Sequence, residues 1–193
     1  MPEKPCHELE VKIWQKAIDE ISTANFPKEK FRGRIWTHPL NAAWATAEGT
    51  VNITEVFLNE LNGSRELELD PKVLAVAAHE IAHIKLEHYK SDEWGKIRKL
   101  ITNPHNKGFP NTYHVDSIKI NELAQSNEKL DMAADKEAIT YLLKAGYAID
   151  DYLNLLNWIQ DNMINIEQFG IYTIPSSIKN RVKGVLEMHL GGR

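Results

Sequence analysis

The stretch that decides the fold is "DPKVLAVAAHEIAHIKLEHY", residues 70–89. Asp70 followed by Pro71 is typical of a helix start, because aspartate accepts hydrogen bonds from the free amides and proline fits the first helical position. From there the sequence predicts an uninterrupted helix to Tyr89. Its buried side is supplied by five apolar residues: Val73, Leu74, Ala77, Ile81 and Ile84.

This predicted helix carries two histidines suited to one metal ion. Residues four apart lie on the same helix face, so His79 and His83 present their imidazoles together. Glu80 lies about 100° around the helix from His79, where it reaches the open side of an ion without being a ligand. A catalytic zinc has three protein ligands and a water whose pKa falls to about 7. The pattern therefore predicts that Glu80 takes the proton from zinc-bound water.

A third ligand must come from elsewhere in the chain. The stretch "LDMAADKEAITYL", residues 130–142, places Asp131 and Asp135 four apart on a second predicted helix. One carboxylate can bind the ion while the other orients a ligand histidine through a hydrogen bond. Glu128, one turn earlier, is the alternative ligand.

A chance occurrence of the histidine string has to be weighed against a metal site. A His-Glu-x-x-His string arises by chance in about one chain in a hundred of this length. A helical interaction module with such a string is therefore one alternative. Burying these polar groups with no ion between them would be costly, however, and this favours the metal site.

Bulk composition limits the class of protein. A chain of 193 residues that is 42% hydrophobic and 26% charged is expected to form one domain, residues 1–193. A net charge of -4 gives no basic field, so nucleic acid is not expected as a partner. Cys6 is the only cysteine, so any metal must bind to His, Asp or Glu. The charged first fifteen residues and the shortness of every apolar run predict a cytoplasmic protein with no membrane span. The oligomeric state is not predicted.

The rest of the pattern predicts an α+β chain dominated by helix. Two or three short antiparallel strands are expected between residues 33 and 54, the last pair joined by a tight turn, and a short helix then runs to about residue 61. A polar loop at residues 102–114 is long enough to predict a lid over a site. Helices are expected over residues 7–24, 116–146 with a break near 127, 150–163 and 176–190.

Four segments resemble the gluzincin metallopeptidases of the HtpX and CAAX-prenyl-protease type, in a minimal soluble form. "NAAWATAEGTVNITEVFLNEL", residues 41–61, is similar to the family's edge strand, second strand and following helix. Residues 70–89 are similar to its zinc helix, and "LDMAADKEAITYLLKAGY", residues 130–147, to the helix that bears the third ligand. "YTIPSSIKNRVKGVLE", residues 172–187, is similar to the closing segment.

The resemblance implies a mostly helical zincin-like core with a small antiparallel sheet whose edge strand borders the active-site cleft. It implies zinc as the cofactor. Where the family has a glutamate ligand this chain has aspartate, whose side chain is one methylene shorter, so the helices must come closer or a water must intervene. The implied roles are ligation by His79, His83 and Asp131, catalysis by Glu80, and support of the ligands by Asp135.

The resemblance also points to substrate-binding residues. Arg181, Tyr172 and Trp44 are the candidates for oxyanion stabilisation or substrate contact, together with His114 in the predicted lid. The chain has Ile174 where the family often has a histidine, and Arg181 comes one residue later than usual. His88, at the place of a later family histidine, is expected to cap the zinc helix, where the helix dipole favours positive charge.

The function implied is that of a zinc-dependent metallo-endopeptidase acting on peptide or protein substrates. A substrate would add as an extra strand along residues 41–47, pairing through main-chain hydrogen bonds. The alternative is a non-catalytic metal-binding or regulatory protein that retains the peptidase fold. Asp131 and Ile174 favour that alternative.

Overall fold

The computed structural model describes residues 8–37, 41–63, 68–92, 117–163 and 175–191. Within these ranges the chain is mostly helical with one small sheet, which confirms the α+β prediction. No helix in them has both the length and the apolar character needed to cross a bilayer. The elements in chain order are α1 (Glu8–Asn25), β1 (Arg32–Trp36), β2 (Ala43–Ala45), β3 (Thr50–Thr54), α2 (Glu55–Asn62), α3 (Pro71–Lys85), a 3₁₀ turn (His88–Lys90), α4 (Ser117–Lys144), α5 (Ile149–Met163) and α6 (Pro175–Gly191).

The sheet is mixed, with strand order β1-β3-β2. β2 pairs antiparallel with β3 through the expected tight turn, in which Gly49 adopts a φ of 77° and its N–H donates to the Thr46 carbonyl at 3.1 Å. β1 instead pairs parallel with β3, so the prediction of a purely antiparallel sheet is wrong for this strand. The reason is topological. Along the chain β2 follows β1 and runs in the opposite direction, and β3 reverses direction again, so β3 runs parallel to β1 when the two strands pair.

Helix α1 packs closely against β1. The Trp14 side chain is fully buried, and its Nε1 donates to the Val51 carbonyl at 3.0 Å. A Cβ atom at Gly33 would lie 2.9 Å from Cδ1 of Trp14 and 3.0 Å from Cδ1 of Ile18. Only glycine therefore allows α1 to approach this strand so closely.

Helix α3 lies at the centre of the fold, where it contacts α1, α2, α4, α5, β2 and β3. Its predicted start is confirmed, since the Lys72 N–H donates to Oδ1 of Asp70 at 2.9 Å. The predicted end at Tyr89 is wrong, because α3 stops at Lys85. Glu87 adopts a left-handed backbone with a φ of 54°, which no helix can continue, and the 3₁₀ turn follows.

The later helices follow the predicted pattern. Helix α4 is continuous across residue 127, so the break expected there does not occur. It is followed by Gly146 with a φ of 90°, the backbone conformation expected of a glycine after a helix. Helix α6 packs against both α4 and α5. Helices α3, α4, α5 and α6 thereby surround one group of polar side chains.

Candidate metal centre

Three potential ligands converge between α3 and α4. His79, His83 and Asp131 each offer one ligand atom, and these atoms all lie within 4.8 Å of one another. The Nε2 atoms of the two histidines are 3.0 Å apart. Oδ1 of Asp131 lies 3.5 Å from Nε2 of His83 and 3.9 Å from Nε2 of His79.

The spacing and the chemistry of these groups fit a zinc ion. Tetrahedral coordination with zinc–ligand bonds of about 2.0–2.2 Å separates ligand atoms by about 3.3–3.6 Å. The three observed separations, 3.0, 3.5 and 3.9 Å, scatter around that range. Two imidazoles and one carboxylate are also a donor set found at catalytic zinc sites. The alternative ligand, Glu128, instead accepts a hydrogen bond from Nδ2 of Asn180 at 2.6 Å in an exposed position.

A buried hydrogen-bond network orients the ring of His79. Its Nδ1 lies 3.0 Å from Oδ1 of Asp135 and 2.9 Å from the hydroxyl oxygen of Tyr152. The Tyr152 hydroxyl donates its own proton to Oδ1 of Asp135 at 2.5 Å, so both neighbours act as acceptors. Nδ1 of His79 must therefore carry the proton. The lone pair on Nε2 is then directed toward the other two ligand atoms.

Arg181 on α6 balances the negative charge of Asp135 and Asp131. Its Nε and Nη2 donate to the two oxygens of Asp135, each at 2.7 Å, and Nη1 lies 3.5 Å from Oδ2 of Asp131. Burial alone would raise the pKa of Asp135, but the Arg181 charge and the hydrogen bonds from His79 and Arg181 together outweigh it and hold that pKa well below its usual range. Arg181 and His83 likewise lower the pKa of Asp131 against the effect of burial. Both carboxylates therefore stay ionised, which is the state in which a carboxylate can bind a metal ion or accept a hydrogen bond from a histidine.

His88 lies on the other side of the site. It begins the 3₁₀ turn, is 8% exposed, and places its Nδ1 2.9 Å from Nδ1 of His83. Burial and the neighbouring His83 lower the pKa of the His88 imidazole to about 4, so the ring is neutral at physiological pH. The expectation of a positively charged helix cap is therefore not met. The early end of α3 has turned His88 back toward the ligands.

Glu80 is placed among the charges of the site. It is 7% exposed, and burial raises the pKa of its carboxyl while His83 and His79 oppose the shift. A raised pKa brings a carboxylate closer to the range in which it both accepts and returns a proton at neutral pH.

The other candidate residues are less directly placed. Trp44 lies half-buried on the edge strand β2, with its ring centroid 5.9 Å from that of Trp36. Tyr172, Ile174, His114 and the predicted lid at residues 102–114 lie outside the described residues.

Three contacts of the site were missed by sequence reasoning. Tyr152 lies in a predicted helix, and nothing in the sequence marks it as part of the site except that a buried phenol needs a polar partner. Its partner Asp135 is on another helix. His88 would have faced away from His83 on a continuous helix, because residues five apart lie about 140° around the axis. The resemblance implies a role for Arg181 in oxyanion stabilisation or substrate contact, and its contacts with both aspartates are an addition to that expectation.

Comparison with known proteins finds a similarity to one protein family. The model of peptidase family M48 matches residues 8–103, which include α1, the sheet, α2 and the whole of α3. Neither the curated proteins nor the solved structures include a significant match to this chain. The matched range is just under half of the chain, and over that range the sequence is similar to a family of metallopeptidases. Asp131, the carboxylate of the candidate metal-binding group, lies beyond the matched range.

Proposed function

We propose that this protein is a zinc-dependent metallo-endopeptidase of the gluzincin type, with Glu80 as its catalytic base. One observation carries the proposal: two helices from distant parts of the chain bring two imidazole nitrogens and a carboxylate oxygen within 4.8 Å of one another. The family match supports the same chemistry. The ligands would be His79, His83 and Asp131, with Asp135 as the support of His79.

The chain's own residues account for the proton movements of peptide hydrolysis. Zinc, when bound, supplies the Lewis acidity that polarises a carbonyl and acidifies a water molecule. Glu80 accepts a proton from the attacking water and returns it to the leaving amine. Its raised pKa suits both steps. Asp135 and Tyr152 keep the His79 ring in one orientation throughout.

The edge strand β2 is suited to bind an extended peptide. The Thr54 N–H donates to the Ala42 carbonyl, and the Thr46 N–H to the Thr50 carbonyl, both at 2.9 Å. Because antiparallel pairing alternates, the amide and carbonyl of Ala43 and of Ala45 point away from β3. Among the described residues no strand pairs with that side of β2. A substrate strand would add there, beside the Trp44 ring, and its main-chain bonds would depend little on sequence.

A non-catalytic metal-binding protein is the second candidate. The observation that favours it is the 3.5 Å approach of Nη1 of Arg181 to Oδ2 of Asp131. The cation beside Asp131 offsets part of the negative charge that this carboxylate would otherwise present to the metal. Such a protein would bind zinc without turnover.

Replacing Glu80 with glutamine tests the catalytic proposal. Zinc content and cleavage of an unfolded fluorogenic protein would be measured for the wild type, for Glu80→Gln and for Glu187→Gln. Glu187 is the matched control, because its side chain is 68% exposed at the surface of α6. We expect Glu80→Gln to retain zinc and lose cleavage, and the control to retain both. Cleavage by Glu80→Gln would remove Glu80 from its role, and a zinc-loaded but inactive wild type would favour the second candidate.

A further inference from the structure

We infer that His88 is a positioning residue, whose Nδ1 accepts a hydrogen bond from Nδ1 of His83 and so directs Nε2 of His83 at the metal position. The inference rests on the proposed metal site but does not require peptidase activity. It concerns a histidine that binds no metal itself and that comes five residues after a proposed ligand.

The placement of His88 is fixed by the backbone. Glu87, immediately before it, is the one non-glycine residue with a positive φ in the described ranges. Such a conformation is uncommon for an L-residue, and it persists where the surrounding structure requires it. On the other side, the Ser91 hydroxyl donates to the His88 carbonyl at 2.7 Å and the Ser91 N–H donates at 3.0 Å. The chain therefore leaves α3 by a turn whose result is an inward-facing His88.

The rings of His83 and His88 meet in a geometry suited to a hydrogen bond. The two Nδ1 atoms are 2.9 Å apart, and the ring planes meet at 76° with centroids 4.9 Å apart. Two imidazole nitrogens at this distance need one proton between them. The direction of donation follows from the other end of the His83 ring.

Nε2 of His83 faces the other ligand atoms. It lies 3.0 Å from Nε2 of His79 and 3.5 Å from Oδ1 of Asp131. A ligating nitrogen must present a lone pair, so the proton of His83 resides on Nδ1. His88 then accepts that proton's hydrogen bond on its own Nδ1 and carries its proton on Nε2. In the described part of the chain, His88 is the partner found at this atom of His83.

The two ligand histidines are therefore supported differently. His79 donates to an anionic carboxylate and a phenol, whereas His83 donates to a neutral imidazole. An imidazole nitrogen offers one lone pair in the plane of its ring, so it restricts the direction of the donor more than a carboxylate does. Without this acceptor, the His83 ring is free to turn and its N–H has no partner. Loss of such an outer partner typically costs about 10–100-fold in metal affinity.

Two substitutions separate a positioning role from simple packing. His88→Leu keeps the apolar bulk and removes the acceptor. His88→Asn restores an acceptor, because the amide oxygen occupies nearly the place of Nδ1. Tyr89→Leu is the matched control, as it makes the same type of change at the next residue of the 3₁₀ turn. Zinc affinity would be measured by competition with a chromophoric chelator, and thermal unfolding would be followed with zinc removed.

We expect His88→Leu to weaken zinc binding about 10–100-fold, His88→Asn to recover most of the loss, and Tyr89→Leu to bind like the wild type. A packing role would instead lower the zinc-free unfolding temperature of His88→Leu and leave its zinc affinity unchanged, which would overturn the inference. A direct check is ¹⁵N NMR of the zinc-loaded protein, in which His83 should be protonated on Nδ1 and His88 on Nε2. The opposite tautomers would also overturn it.

The outcome for His88 is distinguishable from the outcome for the proposed function. A wild type that binds no zinc would overturn the metal site and the inference together. A wild type that binds zinc but cleaves nothing would overturn the peptidase proposal, and the comparison of His88 variants would still decide the role of His88.

Discussion

Replacing Arg181 with methionine should lower the stability of the whole fold, and should not affect catalysis alone. Arg181 is 8% exposed, and its guanidinium donates two 2.7 Å hydrogen bonds to Asp135, which is 2% exposed. Methionine has a similar length and no charge, so Arg181→Met leaves that carboxylate buried without the cation that balances its charge. Breaking a buried ion pair from one side typically costs about 3–5 kcal/mol of unfolding free energy. For a chain of this size, this corresponds to a fall of about 6–20 °C in the unfolding temperature.

Urea and thermal unfolding of zinc-free protein would measure this cost. The double variant Arg181→Met, Asp135→Asn is the control, because it removes both charges. It should be more stable than Arg181→Met alone, since the uncompensated carboxylate is then absent. If Arg181→Met unfolds within about 1 kcal/mol of the wild type and instead loses turnover, the guanidinium serves the substrate. The structural assignment of Arg181 would then be refuted.

Three further predictions concern the fold, the metal and the substrate. Gly33→Ala should lose about 1–3 kcal/mol of unfolding free energy in urea, because the added Cβ meets Trp14, whereas Gly184→Ala, whose Cβ meets only a flexible methionine end at 3.2 Å, should not. Burial lowers the pKa of His83, but Asp131 and Glu80 outweigh it and raise that pKa above 6.5. A protonated histidine cannot bind zinc, so the zinc affinity should already begin to fall above pH 6.5 as the pH is lowered. A zinc affinity that stays constant down to pH 5.5 would contradict this. Trp44→Ala should raise KM for peptide substrates about 2- to 12-fold, equivalent to about 0.5–1.5 kcal/mol of lost aromatic contact, at unchanged kcat; an unaltered KM would place substrate elsewhere.

Local chemistry made the central helix predictable. The start of α3 at Asp70 and Pro71, and the shared face of His79 and His83, depend on residues within four positions of one another. Such interactions are encoded in short stretches of sequence. The same holds for the turn at Gly49, where a left-handed backbone selects glycine.

Features that depend on distant partners were not predictable in this way. Alternation shows which face of β1 is buried, but it does not show which strand lies beside it or in which direction. The left-handed turn at Glu87 has no glycine to mark it. Spacing alone also left both Asp131 and Glu128 as possible ligands, because the choice depends on how α4 lies against α3.

The position of α3 has a consequence for how the protein can vary. The same 15-residue helix carries the two histidines and forms the middle of the hydrophobic core. Metal binding at the site and the stability of the fold are thereby thermodynamically coupled. A thermal shift assay should therefore report whether metal is bound, without any substrate. Redesign of selectivity has little freedom on this helix. It has more at β2, whose three residues are only partly buried.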